Sequence, residues 1–428
     1  MCYNALENIY HGGFFMNSTD KLYGNAVVGQ SGGPTAAINA TLAGVILGAK
    51  EYNESGVINI LYGMRNGIEG FLREDLVELN PFFSDADAFE TLKTTPAAAL
   101  GSCRKKLKSY DEDAETYARL LEIFKKYNIR YFFYIGGNDS MDTVLKLSNY
   151  AKSHDYEMRV VGVPKTIDND LAATDHTPGF GSAAKFVATT VKECLRDVSV
   201  YTMKAVTIIE IMGRDAGWLT ASAALTKLSG GVAPDLVYLP ERTFDKDEFI
   251  KSVNESLSRH PAVLVAVSEG IRLADGEYVG AALGTIDAFG HKQLSGAGKA
   301  LENIVKNEIG CKVRSIELNI PQRCAAHLLS ATDINESVKI GASAVGAAVR
   351  GESGVMMIFV RGDGDEYSVE IKSADISKIA NAVKTVPMEY INEDGNGITE
   401  AGLRYLAPLI MGEVELKYDF GLPAHIII

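Results

Sequence analysis

Tyr131-Phe132-Phe133-Tyr134-Ile135-Gly136-Gly137-Asn138-Asp139-Ser140 is the stretch that decides the fold. Its first five residues are apolar without alternation, so the strand they form must be covered on both faces. That is the pattern of a parallel sheet held between helices, and the helical stretch from about Ala114 to Tyr127 leads straight into it. Ligand crevices in open α/β sheets lie at the carboxyl ends of strands. This strand ends in two glycines followed by Asn138, Asp139 and Ser140, which bring backbone and polar side chains toward one point. The competing reading is an ordinary cap on the helix that follows.

Moving toward the C-terminus, Arg159-Val160-Val161 is a further buried strand, and it opens into Gly162-Val163-Pro164-Lys165-Thr166-Ile167-Asp168-Asn169-Asp170. Two carboxylates stand two residues apart, with a lysine three residues before the first and a threonine hydroxyl between. A proton acceptor, a phosphate-pairing cation and a hydroxyl donor are the parts that moving a phosphoryl group requires. A polar turn whose Asp and Asn side chains bond their own backbone is the alternative. Next, Gly179-Phe180-Gly181 begins a long helix reaching about Arg196. Thr207–Glu210 is a strand, and Met212-Gly213-Arg214-Asp215-Ala216-Gly217-Trp218 turns from it. An arginine flanked by glycines at a strand end suits a phosphate or a developing charge. Strand Ala262–Val267 ends in Ser268-Glu269-Gly270, Arg314 lies in Lys312–Leu318, and Pro321-Gln322-Arg323 opens an Ala-rich helical region. From Gly354 on there is a strand (Val355–Val360) and an acidic turn, and no chemistry is legible.

Toward the N-terminus, strand Asn25–Val28 runs into Gly29-Gln30-Ser31-Gly32-Gly33-Pro34-Thr35 and a helix over about Ala36–Ala49. Such a turn sets backbone N–H groups against a phosphate; it matches neither GxGxxG nor the GxxxxGK[ST] loop. Strand Val57–Gly63 is followed by Arg65 and Arg73, and then by Leu100-Gly101-Ser102-Cys103-Arg104-Lys105-Lys106, a local gathering of positive charge.

The chain has 428 residues, 46% of them apolar, enough for two α/β domains. No apolar run approaches the roughly 18 residues of a membrane span. Residues Met1–Asp20 lack the basic and apolar regions of a secretory signal and are expected to be a loose tail, with Met16 a candidate start. Five scattered cysteines (Cys2, Cys103, Cys194, Cys311, Cys324) show no metal-ligand spacing and suggest a reduced, cytoplasmic protein. A formal charge of −13 argues against general nucleic-acid or anionic-membrane binding. Positive charge for an anionic substrate must therefore be gathered locally.

In this order the pieces resemble the phosphofructokinases, and within them the pyrophosphate-dependent branch. The likeness runs from about Asn25 to Gly354 and rests mainly on Pro164-Lys165-Thr166-Ile167-Asp168-Asn169-Asp170 with Met212-Gly213-Arg214. It implies two Rossmann-like three-layer α/β domains with mostly parallel sheets and the active site in the cleft between them. The expected division is 21–180, holding the phosphoryl donor, and 181–428, holding fructose 6-phosphate, with about 322–360 packing back on the first. The boundary near 180 is soft. The resemblance further implies a cytoplasmic, Mg²⁺-dependent enzyme of glycolysis and gluconeogenesis, a homodimer or homotetramer, that reversibly converts pyrophosphate and fructose 6-phosphate to phosphate and fructose 1,6-bisphosphate.

By the same resemblance Asp168 matches the general base, assisted by Lys165 and Arg214. Thr166, Asp168, Met212, Gly213, Arg214, Glu269, Arg314 and Arg323 match residues that hold the sugar phosphate, and Lys204 stands beside Ala205, where ATP-using relatives carry an arginine. Gly32, Gly33, Arg104, Asn138, Asp139, Ser140 and Lys165 match the diphosphate side. Asp139 and Asn138 fall at the metal, with Asp170 near it. ATP-using relatives carry glycine where this chain has Asp139 and Lys165. A carboxylate at Asp139 fills the space of a nucleotide's α-phosphate and opposes its charge, while Lys165 supplies a point charge for the end of a bare diphosphate. Two departures bear on affinity: Asn138 replaces the family's first acid, and Ile320 stands where many relatives have His or Tyr. The rival readings are an ATP-dependent 6-phosphofructokinase and a non-catalytic regulatory subunit, and sedoheptulose 7-phosphate is an alternative acceptor.

Overall fold

A computed structural model describes residues 21–281, 296–364, 366–379 and 382–428. The tail expected over 1–20, with its candidate start, lies outside the described residues. Strand β1 (Gly24–Gln30) leads into α1 (Ile38–Glu54), followed by β2 (Ile58–Met64), α2 (Gly67–Leu72), β3 (Leu76–Glu78), α3 (Ala86–Thr94) and α4 (Ala114–Lys126). Next come β4 (Ile129–Gly136), α5 (Asn138–Ser153), β5 (Arg159–Pro164), α6 (Phe180–Val198), β6 (Ala205–Ile211) and α7 (Trp218–Ser222). Then follow β7 (Leu236–Tyr238), α8 (Lys246–Arg259), β8 (Ala262–Ser268), α9 (Ala297–Glu308) and β9 (Lys312–Glu317). The chain closes with α10 (Ala331–Val349), β10 (Val355–Arg361), β11 (Val369–Asp375), α11 (Glu400–Leu406) and the hairpin β12 (Tyr418–Asp419) and β13 (Leu422–Pro423).

One sheet has the order β11-β10-β5-β4-β1-β2-β3, parallel from β10 to β2 with an antiparallel strand at each edge. The other has the order β7-β8-β6-β9 and is parallel throughout. Alternation of side chains explains why β4 tolerates no polar residue in its middle. Tyr131, Phe133 and Ile135 pack with Ile38 and Leu42 of α1 and Ile340 and Ala344 of α10. Phe132 and Tyr134 pack on the other face, with Leu120 and Phe124 of α4 and Met141 and Val144 of α5. At roughly 1.5–3 kcal/mol per buried large side chain, this strand alone contributes on the order of 10 kcal/mol of transfer free energy. The four-stranded sheet is covered likewise: Val206 and Ile208 of β6 face α8 and α9, while Ile209 and Ile211 face α6 and α7.

After β9 the chain returns to the first sheet with α10 and β10. Helix α10 lies against α1 so closely that a Cβ on Gly44 would stand 2.1 Å from the Val338 carbonyl oxygen, and one on Gly341 would stand 2.3 Å from that of Thr41. Only glycine permits this backbone contact. The return reaches farther than the expected 322–360, because β10 pairs with the antiparallel β11 and carries it to Asp375. Asp333 of α10 also accepts from the N–H groups of Gly179 and Ser182, both at 2.9 Å, and so caps α6. One buried carboxylate thereby joins the helix layers of the two sheets.

Candidate active site

The carboxyl ends of strands from both sheets border one cavity of about 450 Å³. The turn after β1 brings Gly32 and Gly33, the first turn of α5 brings Asn138, Asp139 and Ser140, and the end of β5 brings Lys165, Thr166, Asp168 and Asp170. From the second sheet, Met212 and Arg214 follow β6 and Glu269 follows β8, while Arg323 arrives from the turn before α10. Arg104 and Lys105 close one side. Parallel topology dictates this gathering, since it delivers every strand's outgoing loop to the same end. Gly213 does not line the cavity but shapes it. At φ 135° it turns the chain, and its N–H donates to Glu269 Oε1 at 3.2 Å.

Lys165 is 2% exposed, and its ammonium donates to the Gly33 carbonyl at 2.6 Å, tying the end of β5 to the glycine turn. Burial pushes this ammonium down to about 8, against the pull of Asp168 and Asp170. Asp168 keeps part of its surface open to the cavity while protein atoms crowd the carboxylate. Burial first, then the charges of Asp170 and Glu269, hold its carboxyl well above the ordinary range, against Lys165 and Arg214. Glu269 is raised by burial as well, and the Gly213 N–H opposes the shift. The Thr166 hydroxyl accepts from the Asp168 N–H at 3.1 Å and so braces the turn. Three buried atoms at the cavity, Arg214 Nε, Arg323 Nε and Asn138 Oδ1, have no hydrogen-bond partner. Two unpaired guanidinium nitrogens are donors prepared for an anion.

Two expected sugar-phosphate residues are not brought to this cavity. Lys204 immediately precedes β6 and is exposed, at the amino end of the strand; eight residues of rise separate it from Met212 by about 26 Å. Arg314 is the third residue of β9, the edge strand, paired beside Thr207 with its side chain in solvent. Lys204 and Met212 are separated because β6 runs between them, which puts them at opposite ends of the sheet. Arg65 and Arg73 are likewise absent from the lining.

Other residues join the site that sequence reading did not assign. Lys106 forms an ion pair with Asp139 at 3.1 Å, both side chains mostly exposed. Gln322 is buried, and its Oε1 accepts from the Met212 N–H at 3.2 Å, linking the Arg323 turn to the Arg214 loop. Lys384, from the stretch where no chemistry is legible, donates to Asn169 between the two aspartates. Position beside a known motif identifies Lys106; nothing in the local sequence marks Gln322 or Lys384.

Among the described residues no group of three or more His, Cys, Asp or Glu side chains is spaced to hold a metal ion. Magnesium retains most of its waters and is commonly bound through one or two protein oxygens plus substrate phosphates. The unpartnered Asn138 Oδ1 next to the Asp139 carboxylate fits that mode.

Comparison with known proteins agrees with this architecture. The family model described as Phosphofructokinase matches residues 25–348. The chain is 45% identical over 406 residues to the pyrophosphate--fructose 6-phosphate 1-phosphotransferase of Xanthomonas campestris, covering 94% of this chain and 96% of that one. It is 41% identical to the protein of the same name from Methylococcus capsulatus, covering 94% and 95%. The crystal structure of a pyrophosphate-dependent phosphofructokinase from Nitrosospira multiformis superposes with a TM-score of 0.85 at 38% identity, covering 94% of this chain and 96% of that one. Two Rossmann-like sheets sharing a cleft at their carboxyl ends, the buried Lys165–Asp168 turn and a match over most of its length make this chain a member of the phosphofructokinase family.

Proposed function

We propose that the protein transfers a phosphoryl group reversibly between pyrophosphate and the 1-hydroxyl of fructose 6-phosphate. One observation carries this reading: Lys165 and Asp168, three residues apart and both crowded by protein, lie in one cavity with unpaired guanidinium nitrogens on its sugar side. Asp168 takes the proton of the 1-hydroxyl. The hydroxyl oxygen forms a bond to the nearer phosphorus, the bridging P–O bond breaks, and its electron pair leaves with phosphate. Lys165 and Arg214 offset the charge spread over the transferring group, and positioning supplies most of the acceleration. Asp139 and Asn138 are the residues that would hold Mg²⁺, which would supply further neutralisation of the phosphate oxygens.

Thr166, Met212, Glu269 and Arg323 hold the sugar phosphate, and Gly32, Gly33, Arg104 and Ser140 hold the donor. Lys106 partly neutralises Asp139, so exclusion of a nucleotide rests on the volume of that carboxylate more than on its charge. As an exposed pair it is screened and worth little by itself. Arg314 and Lys204 serve the cleft of a neighbouring copy in a cytoplasmic homodimer or homotetramer. The divisions 21–180 and 181–428 act as donor and acceptor halves, joined by the returning α10–β11 segment. The test is initial rate with fructose 6-phosphate and either pyrophosphate or ATP, with and without Mg²⁺. Turnover with pyrophosphate and Mg²⁺ alone is expected; turnover with ATP alone returns the reading to an ATP-dependent kinase, and turnover with neither returns it to a regulatory subunit.

A further inference from the structure

We propose that Lys384 is a positioning residue for this reaction, holding the Asp168–Asp170 turn in the shape that aims the Asp168 carboxylate into the cleft. The inference rests on the reading of Asp168 as the base. Lys384 lies outside residues 25–348, the stretch matched to the family.

The turn needs holding. Asn169, between the two aspartates, stands at φ 53°, in the left-handed region, which asparagine enters more readily than most residues but still at a cost that its surroundings must offset. Its side chain is gripped from both ends: Oδ1 accepts from Lys384 Nζ at 3.1 Å, and Nδ2 donates to the Tyr405 hydroxyl at 3.1 Å. The same ammonium donates to the carbonyls of Thr174 at 3.1 Å and Asp175 at 2.6 Å. Three N–H donors thus meet three oxygens, the full capacity of a lysine. The backbone completes the grip. Lys384 N–H donates to the Asp170 carbonyl at 2.8 Å, and Val383 bridges Leu171.

Lys384 also reaches the other half of the cleft. Its carbonyl accepts from Trp218 Nε1 at 3.0 Å, and its ammonium lies 5.2 Å from the centre of that ring. Trp218 opens α7, four residues after Arg214. One residue is therefore bonded both to the turn bearing the base and to the helix that anchors the Arg214 loop. A misplacement near 1 Å of a reacting group costs about a hundredfold in rate, so loss of this grip falls on turnover rather than on binding. Because Trp218 is the sole tryptophan of the chain, its fluorescence reports directly on the contact.

Lys384→Met, which keeps length and removes the donors, is compared with Lys185→Met. Lys185 likewise donates to three oxygens (Leu329 O, Gly412 O, Glu413 Oε1), but away from the cleft. Lys384→Met is expected to lower kcat about 10–100-fold, to leave KM for both substrates within about threefold, and to shift the Trp218 emission. Lys185→Met is expected to lower Tm comparably with kcat within about threefold of the parent. Should Lys384→Met not fold, Lys384→Ala is assayed with n-propylamine, which replaces the missing atoms; saturable recovery of kcat supports the assignment, and no recovery overturns it. A kcat loss no greater than that of Lys185→Met also overturns it. If instead Asp168→Asn retains parental turnover, the reading of the base itself has failed. An inactive Asp168→Asn beside a fully active Lys384→Met removes Lys384 alone.

Discussion

At the scale of single residues, Lys165 and Asp168 are needed in opposite protonation states from the one burial favours. Burial makes Asp168 harder to ionise and Lys165 easier to discharge. The base works only when ionised, so kcat/KM for pyrophosphate rises with pH along an acid limb displaced above the ordinary aspartate value of about 3.9. The cation works only when protonated, so the same rate falls as pH passes about 8. A pH–rate profile checks both signs; a rate that is flat from pH 5 to 9 would remove both assignments. Replacing Asp168 by Asn keeps shape and removes the acceptor, so kcat is expected to fall about 10²–10⁴-fold with KM changed only a few-fold. Steady-state kinetics on the folded variant measures this.

At the scale of elements, much was legible because the signals are local. The unbroken apolar run of β4 revealed a doubly covered parallel sheet, and the glycine turns after β1, β4 and β6 marked the strand ends where the cavity lies. What was not legible depends on contacts between residues far apart in the chain. Nothing near Lys384 in sequence announces that its ammonium bonds Asn169, 215 residues away, and nothing near Gln322 announces its bond to Met212. Lys204 is the reverse case: it stands close to Met212 in sequence but at the other end of β6, outside the cavity of its own copy. The α1–α10 crossing is likewise invisible until both helices are docked. Gly341→Val is expected to cost about 3 kcal/mol, near the upper end for overpacking, because the atom it meets is backbone and cannot swing aside. Urea unfolding would show this as a lowered midpoint; an unchanged midpoint would mean that α10 slides on α1 at little cost.

At the scale of the whole molecule, a net charge of −13 is reconciled with anionic substrates by gathering Arg104, Lys105, Lys165, Arg214 and Arg323 at the cleft. Arg314 and Lys204 stand outside it, and their proposed place in the cleft of a neighbouring copy is open to a complementation test. Asp168→Asn and Arg314→Ala, each crippled alone, should recover about a quarter of parental activity when unfolded and refolded together as a dimer, since half the dimers are hybrids with one intact cleft. No recovery on mixing would mean that Arg314 acts within its own copy and that the clefts are not shared. The choice of donor is the central claim, and it is tested most directly by kcat/KM for pyrophosphate and for ATP in the parent and in the Asp139→Gly/Lys165→Gly pair. The parent is expected to use pyrophosphate only. The paired substitution is expected to lower pyrophosphate use by at least about tenfold, as loss of a charge-assisted contact requires, and to admit ATP. A parent that accepts ATP as readily as pyrophosphate, or a paired variant that still prefers pyrophosphate undiminished, would contradict it.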